Sequence, residues 1–472
     1  MKDIEHVCKI VLHRIKPKHS ERRRILELAE KMKSKVTDAV NESGLDAEVR
    51  IDGSVAKDTW LSGEADIDIF MRVPSTLSRN ELETTCLQIA RNALKGYRII
   101  ERYAEHPYVE TWVAGTRVNI VPCYRVEKGN WKSATDRTPF HTEYMKSRLD
   151  ESLRDETRLL KKFMKGIGIY GAEIKVNGFS GMLCETLSLF YGSFRNTVTQ
   201  ASNWRRSETI DVERYYEGRQ DEIKQLFDNP LVVIDPVDRG RNAAAAVSEE
   251  RMWEFVAASR TFIQKPSLRF FHPPVSKPFS IRQLRSTIAR RGSALLLIQI
   301  GRVDAIVDIL WSQLYKTEKS LRNLLQENDF EVSKSASWSD EEKCNVILFE
   351  LTEATLSKSK RHLGPPVSRR VESEKFLEKH LNREDTVSGP WIEDGRWIVE
   401  KLRRNRSAEL LLKVSLSSGG RAVGVASRVA ESIRRGFKIL LNEEIISLYR
   451  SNRQFSSFLS SFLKGRPSWI DY

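Results

Sequence analysis

The chain has 472 residues, with 78 Lys plus Arg against 64 Asp plus Glu, a formal net charge of +14 and a pI near 9.4. That length exceeds one ordinary domain and predicts about three, and the charge favours a polyanionic partner such as nucleic acid, with an acidic membrane surface as the alternative. The five cysteines, Cys8, Cys86, Cys123, Cys184 and Cys344, contain no C-x-x-C pair, which argues against a zinc site and a disulfide framework and fits a reducing cytoplasm.

The amino-terminal residues alternate apolar with charged side chains, unlike a signal peptide, and two helices are expected before residue 45. Ile10, Val11 and Ile15 mark the first, and Ile25, Leu26, Ala29 and Met32 the second; both are expected to pack on the sheet that follows. Strands are predicted over 47–51, 67–73, 97–103, 108–113 and 117–122, with a helix over 79–93 between them, giving a small mixed sheet covered by helices. From about 149 the pattern is helical, with helices over 155–165, 181–191 and 249–265, and the prolines of 265–278 mark a boundary. Beyond it, a strand over 294–300, a helix over 311–326 and a strand over 345–350 suggest an α/β module. That first strand is the longest apolar run and is far too short to span a bilayer, so a soluble protein is expected. Residues 357–361 with Gly364-Pro365-Pro366 read as a loop, and the basic segments 401–406 and 434–435 are candidate phosphate contacts.

The chemistry is concentrated at Gly53-Ser54 and Asp66-Ile67-Asp68. Successive side chains of a strand alternate faces, so Asp66 and Asp68 project together about 7 Å apart along the backbone. Ile67, Ile69 and Phe70 are expected to face a core, and Glu64 continues the acidic period of two. Standing alone, Asp-Ile-Asp is as well read as a solvated strand face. An upstream Gly-Ser turn, able to approach phosphate oxygens and backed by Lys57, turns the pair into a signature for nucleotidyl transfer on divalent cations.

The stretch GSVAKDTWLSGEADIDIF, followed in order by AEHPYVE, NIVPCYRV, SATDRTPFH, RLLKKFMKGIGIYGAE, GFSGMLCE and VIDPVDRGRN, resembles the archaeal-type (class I) CCA-adding enzymes, tRNA nucleotidyltransferases of the polymerase β superfamily. A weaker likeness continues through PSLRFF and WIEDGRW. The resemblance implies an α+β multidomain chain: a polymerase β-like catalytic domain over 1–147, a helical central domain over 148–265 completing the nucleotide site, and an α/β tRNA-binding region over 266–472. It further implies template-independent addition and repair of the 3′-terminal CCA of tRNA from CTP and ATP, two Mg²⁺ ions, and a homodimer. A poly(A) or other oligonucleotide-tailing polymerase shares the catalytic signature, but SATDRTPFH together with IYGAE favours the CCA branch.

By the same resemblance, Asp66, Asp68 and the residue at 119 are the catalytic and metal-binding set. Gly53, Ser54, Lys57, Thr138, His141, Lys161 and Tyr170 would hold the triphosphate and sugar, while His106 and Arg241 would lie near the incoming base. Asp235-Pro236-Val237-Asp238 reads as a structural turn. One position departs from the family: Asn119 stands where a third carboxylate is expected. Asparagine keeps an oxygen ligand but loses the charge. That leaves an enzyme using a neutral ligand aided by Glu64 or Glu110, a silenced tRNA-binding protein, or a substitution made to trap a substrate complex.

Overall fold

The computed structural model describes residues 2–103, 106–274 and 277–470, and its chain divides into two compact units, Met1–Val275 with Pro467–Tyr472 and Ser276–Arg466. In the first unit, α1 (Lys2–Ile15) and α2 (His19–Ser43) precede β1 (Glu48–Asp52), the short α3 (Gly53–Lys57), β2 (Asp66–Pro74) and α4 (Arg79–Ala93). Next come β3 (Ile99–Tyr103), β4 (Pro107–Val113), β5 (Thr116–Arg125), α5 (Thr138–Arg148), α6 (Glu151–Ile167), α7 (Gly181–Tyr191) and α8 (Phe194–Ala201). The unit continues through β6 (Glu208–Asp211), α9 (Gln220–Leu226), β7 (Leu231–Asp235), β8 (Asp238–Asn242) and α10 (Glu249–Gln264).

Strands β1 to β5 form one sheet in the order β1-β2-β5-β4-β3. Only β2 and β5 run parallel. Ile67, Ile69, Met71 and Val73 of β2 and Val118 and Ile120 of β5 bury one face against Ile25, Met32 and Val36 of α2 and Leu82, Cys86 and Ile89 of α4. Because side chains alternate, the opposite face is left to Asp66, Asp68 and their cross-strand neighbours. Phe70 shares that second face by parity, correcting the direction expected of it, and is itself buried. A capping box at Ser78 and Glu81 starts α4, and Gly44 in the left-handed conformation ends α2.

Helix α1 does not pack on the sheet as expected. Its Ile4, Val7, Val11 and Ile15 join Leu160, Phe163, Met164 and Ile167 of α6 in a separate core, which also takes in Leu61 and Trp469. At its centre Phe163 lies within 6.3 Å, ring centroid to centroid, of Phe194, Phe255, Phe262, Phe270 and Phe271. The apolar stripe of α6 is wide enough to bury α1 on one flank and α7 and α10 on others. The central region also contains a small sheet, β6-β7-β8, where only helices were predicted. Its middle strand, Leu231–Asp235, is buried throughout, and a run of four apolar residues closed by Asp235 carries no alternation to reveal it.

The second unit contains α11 (Ile281–Arg291), β9 (Ala294–Ile300), α12 (Val307–Glu327), β10 (Val332–Ser339), β11 (Asn345–Leu351), β12 (Ser359–Pro366) and α13 (Arg370–His380). It ends with β13 (Thr386–Glu393), β14 (Arg396–Leu402), α14 (Ala408–Leu416), α15 (Ser427–Arg435), β15 (Phe437–Leu441), α16 (Ile446–Ser451) and α17 (Arg453–Lys464). Its strands form the sheets β10-β11-β9-β15 and β12-β14-β13. The segment expected to be a loop at 357–361 therefore enters a strand. Its prolines are tolerated because β12 is an edge strand, with one side of its backbone unpaired. Among the described residues no helix is long and apolar enough to cross a membrane.

Candidate active site

The polar face of the first sheet carries a row of side chains set by register. Asp52 pairs with Asp68, Asp68 with Asn119, and Asn119 with Glu110, so one row crosses β1, β2, β5 and β4. Asn119 Nδ2 donates to Asp68 Oδ1 at 2.8 Å. Its own Oδ1 is buried and has no hydrogen-bond partner. Loss of water pushes the Asp68 carboxyl up to about 6; the Asn119 hydrogen bond opposes that rise, and the charge of Asp66 adds to it. In the next row, Arg117 grips Asp66 through Nε to Oδ1 at 2.9 Å and Nη2 to Oδ2, and its Nη1 lies 3.8 Å from Glu110 Oε2.

Gly53 is required by this row. It has φ +73°, and a Cβ there would stand 2.2 Å from Asp68 Oδ2. Gly53→Ala should therefore displace the Asp68 carboxylate as well as strain the turn by about 1–2 kcal/mol. The expected result is a fall of at least roughly tenfold in kcat with a modest drop in the urea midpoint. Ser54 follows in the same short helix. Glu64 does not extend the acidic row: β2 begins only at Asp66, and the Glu64 carboxylate is held by Lys165 and, at 3.9 Å, by Lys162.

Lys57 and Lys161 were expected to supply positive charge to the triphosphate, and the structure places both, buried, on Glu185 of α7. Lys57 Nζ lies 2.5 Å from Glu185 Oε2 and Lys161 Nζ lies 2.9 Å from Oε1; the Thr59 hydroxyl donates to Oε1 at 2.6 Å and accepts from Lys161 at 2.9 Å. Burial alone would raise the Glu185 pKa, but two lysines share it and pull it down to about 2. Each lysine has only part of one acid, so burial and the neighbouring Lys57 charge lower the Lys161 pKa despite the pair. The cluster retains one net positive charge beside Tyr170. A Cβ on Gly181 would sit 2.9 Å from the Tyr170 hydroxyl and 3.7 Å from Lys161 Nζ, so the glycine makes room where those two groups meet. Burial, with the charges of Cys184 and Glu185, pushes the Tyr170 pKa well up and keeps its hydroxyl a donor.

His141 and Arg241 converge on Asp235. His141 Nε2 lies 2.9 Å from both Asp235 oxygens, and Arg241 Nη1 donates to Oδ2 at 2.6 Å. A carboxylate only accepts, so Nε2 carries the proton. Burial would raise the Asp235 pKa, but the hydrogen bond and charge of His141 hold it below the usual range. The turn containing Asp235 thus positions two side chains besides shaping the backbone. Asp136 anchors the approach to α5, accepting from the backbone N–H of Tyr124 at 2.8 Å and of Ser133 at 2.7 Å. This sets Thr138 and His141 on one helix, where Thr142, one turn on, accepts from Gly53 N–H at 3.4 Å.

His106 does not join these residues. It is buried, with Nδ1 3.4 Å from Glu83 of α4 and its ring edge-on to Tyr124. Tyr124 pairs with Val73, on the dry face of the sheet. His106, expected near the incoming base, thus stands apart from the other candidate residues, with its Nδ1 on Glu83 and its buried Nε2 without a hydrogen-bond partner.

Three family profiles match in succession: a nucleotidyltransferase domain over residues 33–141, the second domain of tRNA nucleotidyltransferase over 155–272, and the C-terminal domain of the CCA-adding enzyme over 291–442. The CCA-adding enzyme of Methanothermobacter thermautotrophicus is 39% identical over 456 residues, covering 96% of this chain and 97% of its own. That of Methanosarcina barkeri is 40% identical over 441 residues, covering 93% and 94%, and that of Archaeoglobus fulgidus is 36% identical over 443 residues, covering 94% and 96%. The chain belongs to the CCA-adding enzyme family. It is a tRNA nucleotidyltransferase of the archaeal type, and the alternative of a general tailing polymerase finds no support.

Within this CCA-adding enzyme fold, Glu185, Arg117 and the orienting role of Asp235 escaped sequence reasoning. Glu185 had a signal, an acid inside the apolar run of GFSGMLCETLSLF. In the second unit, Lys401 is tied to Asp385 and Arg403 to Asp329, whereas Arg404, Arg406 and Arg434 are exposed. Arg435 is also exposed, with its guanidinium 3.5 Å from Asp304.

Proposed function

We propose that this chain builds and repairs the 3′-terminal CCA of tRNA from CTP and ATP, with Asp66, Asp68 and Asn119 as the seat of two Mg²⁺ ions. The carrying observation is the placement of Asp68 between Gly53, which has no Cβ to fill the space, and Asn119, whose buried carbonyl oxygen lacks a partner. The donors are hard oxygens, which suit Mg²⁺. Among the described residues no three acidic, His or Cys side chains converge as an ion site, and Arg117 holds both Asp66 oxygens, so it would leave Asp66 when that carboxylate takes a cation. Both partners of that pair keep more than a third of their side chains exposed, at 40% and 37%, which makes the exchange inexpensive. When bound, such ions lower the pKa of the tRNA 3′-hydroxyl and neutralise the departing pyrophosphate.

The protein side chains do the rest. Lys57, Lys161 and Tyr170 present one net positive charge and a hydroxyl donor to the triphosphate, and because Glu185 fixes both lysines they need no reorganisation as charge develops. Ser54 and Thr138 supply hydroxyl donors. Asp235 holds His141 with its proton on Nε2 and aims Arg241 at the nucleotide. Arg404, Arg406 and Arg434 offer charge to the tRNA backbone.

The test is extension of a tRNA transcript lacking its CCA end by CTP and then ATP with Mg²⁺, run beside Asn119→Asp. We expect the natural sequence to add all three nucleotides. Extension by Asn119→Asp alone would identify a silenced tRNA binder, and none by either protein would end the enzymatic reading.

A further inference from the structure

We propose that Glu110 supplies the third negative charge of the metal site from β4, one strand over from the position where Asn119 replaces the family carboxylate. The inference rests on the metal-binding reading of Asp66 and Asp68. Register puts Glu110 directly opposite Asn119 in the row that begins at Asp68, and strand alternation puts all three side chains on one face.

Two further observations single out Glu110. Its side chain is only 6% exposed, so the sheet face holds an acid where burial of a charge is costly unless something compensates it. Arg102 does so in part, with Nη2 3.0 Å from Oε1, and Arg117 stands 3.8 Å away; their side chains are 41% and 40% exposed and free to swing outward. Between the two carboxylate-bearing strands lies the unpartnered Asn119 Oδ1, on a residue 8% exposed. An ion pair between Glu110 and Arg102 leaves that oxygen unexplained. A cation bound by Asp68, the Asn119 carbonyl and Glu110 satisfies all three groups.

Length fits as well as charge. Neighbouring strands are about 4.8 Å apart, so Asp68 and Glu110 are separated by about two such spacings. Glutamate has one methylene more than aspartate, and its Oε2 already lies 3.8 Å from Nη1 of Arg117 on β5. Glu64, the other acid considered for this role, lies outside β2 and is held by Lys165 and Lys162. With Glu110 the site again has three carboxylates, Asp66, Asp68 and Glu110, and Asn119 becomes a neutral ligand between them.

The experiment measures Mn²⁺ binding by electron paramagnetic resonance in the full-length protein with a non-reactive CTP analogue, comparing the natural sequence, Glu110→Gln and Glu110→Gln with Asn119→Asp. Glu110→Gln should weaken Mn²⁺ binding by roughly tenfold or more, and the double variant should recover it, because the charge returns on the adjacent strand. Urea midpoints of the variants separate this effect from unfolding, and recovery in the double variant excludes a merely structural role. Equal Mn²⁺ affinity in the natural protein and Glu110→Gln would overturn the proposal while leaving Asp66 and Asp68 as ligands. Absence of Mn²⁺ binding by the natural protein would overturn the metal-site reading and this inference together.

Discussion

Glu185→Ala lowers the unfolding free energy of the first unit by about 3–5 kcal/mol, because removing one partner of a buried pair strands the other. Here it strands two. Lys57 and Lys161 are both buried, the other close acceptors of Lys161 are the Thr59 hydroxyl and carbonyl, and the two lysines would repel one another without the acid. The lysines can escape only by losing protons or by pulling α3 and α6 apart. Urea unfolding followed by fluorescence reads the loss as a fall in midpoint; an unchanged midpoint would show that Glu185 does not hold the lysines. Glu185→Gln keeps the shape and should fall between the two, since its amide can accept from one lysine but neutralises neither.

Asp68→Asn has two opposite effects. With a folded-state pKa of about 6 against about 3.9 unfolded, the Asp68 charge costs the metal-free fold stability above pH 4, and the cost is complete above pH 6. The unfolded chain binds fewer protons in that window, so stability falls as pH rises through it. Asp68 keeps part of its surface in water, so the expected gain for Asp68→Asn in chelator at pH 7.5 is about 1–2 kcal/mol, vanishing below pH 4. Saturating Mg²⁺ should shrink or reverse that gain, since ligand binding stabilises only the protein that has the site. A gain in metal-free stability coupled to lost turnover is what a functional carboxylate held against its solvation should show.

The lesson about legibility lies in particular elements. Helix α7 and strand β9 matched their predicted limits, because serine and glycine caps bound the helix and a plain apolar run marks the strand. Asp66 and Asp68 were legible because alternation is local to the strand. Asn119 beside Asp68 was legible only through the family, since the two are 51 residues apart. Glu185 could be suspected from its apolar neighbours, yet its lysine partners lie 24 and 128 residues away and no local pattern names them. Helix α1 shows the opposite limit: Val11 and Ile15 of its stripe were read and its partner was not, because an amphipathic face does not say which of two cores will take it. His106 shows how one residue type serves two ends, since only the position of Tyr124 and Glu83 decides that its ring lies on the dry side of the sheet.

The most direct test of the account is single-turnover extension of tRNA lacking CCA by Asp68→Asn in saturating Mg²⁺, CTP and ATP, with tRNA binding measured on the same protein. The account predicts a loss of extension of at least about a thousandfold, with tRNA affinity retained and the metal-free protein no less stable than the natural one. Extension within a few-fold of the natural rate would contradict it, because the polar row of the first sheet would then not be where the chemistry occurs.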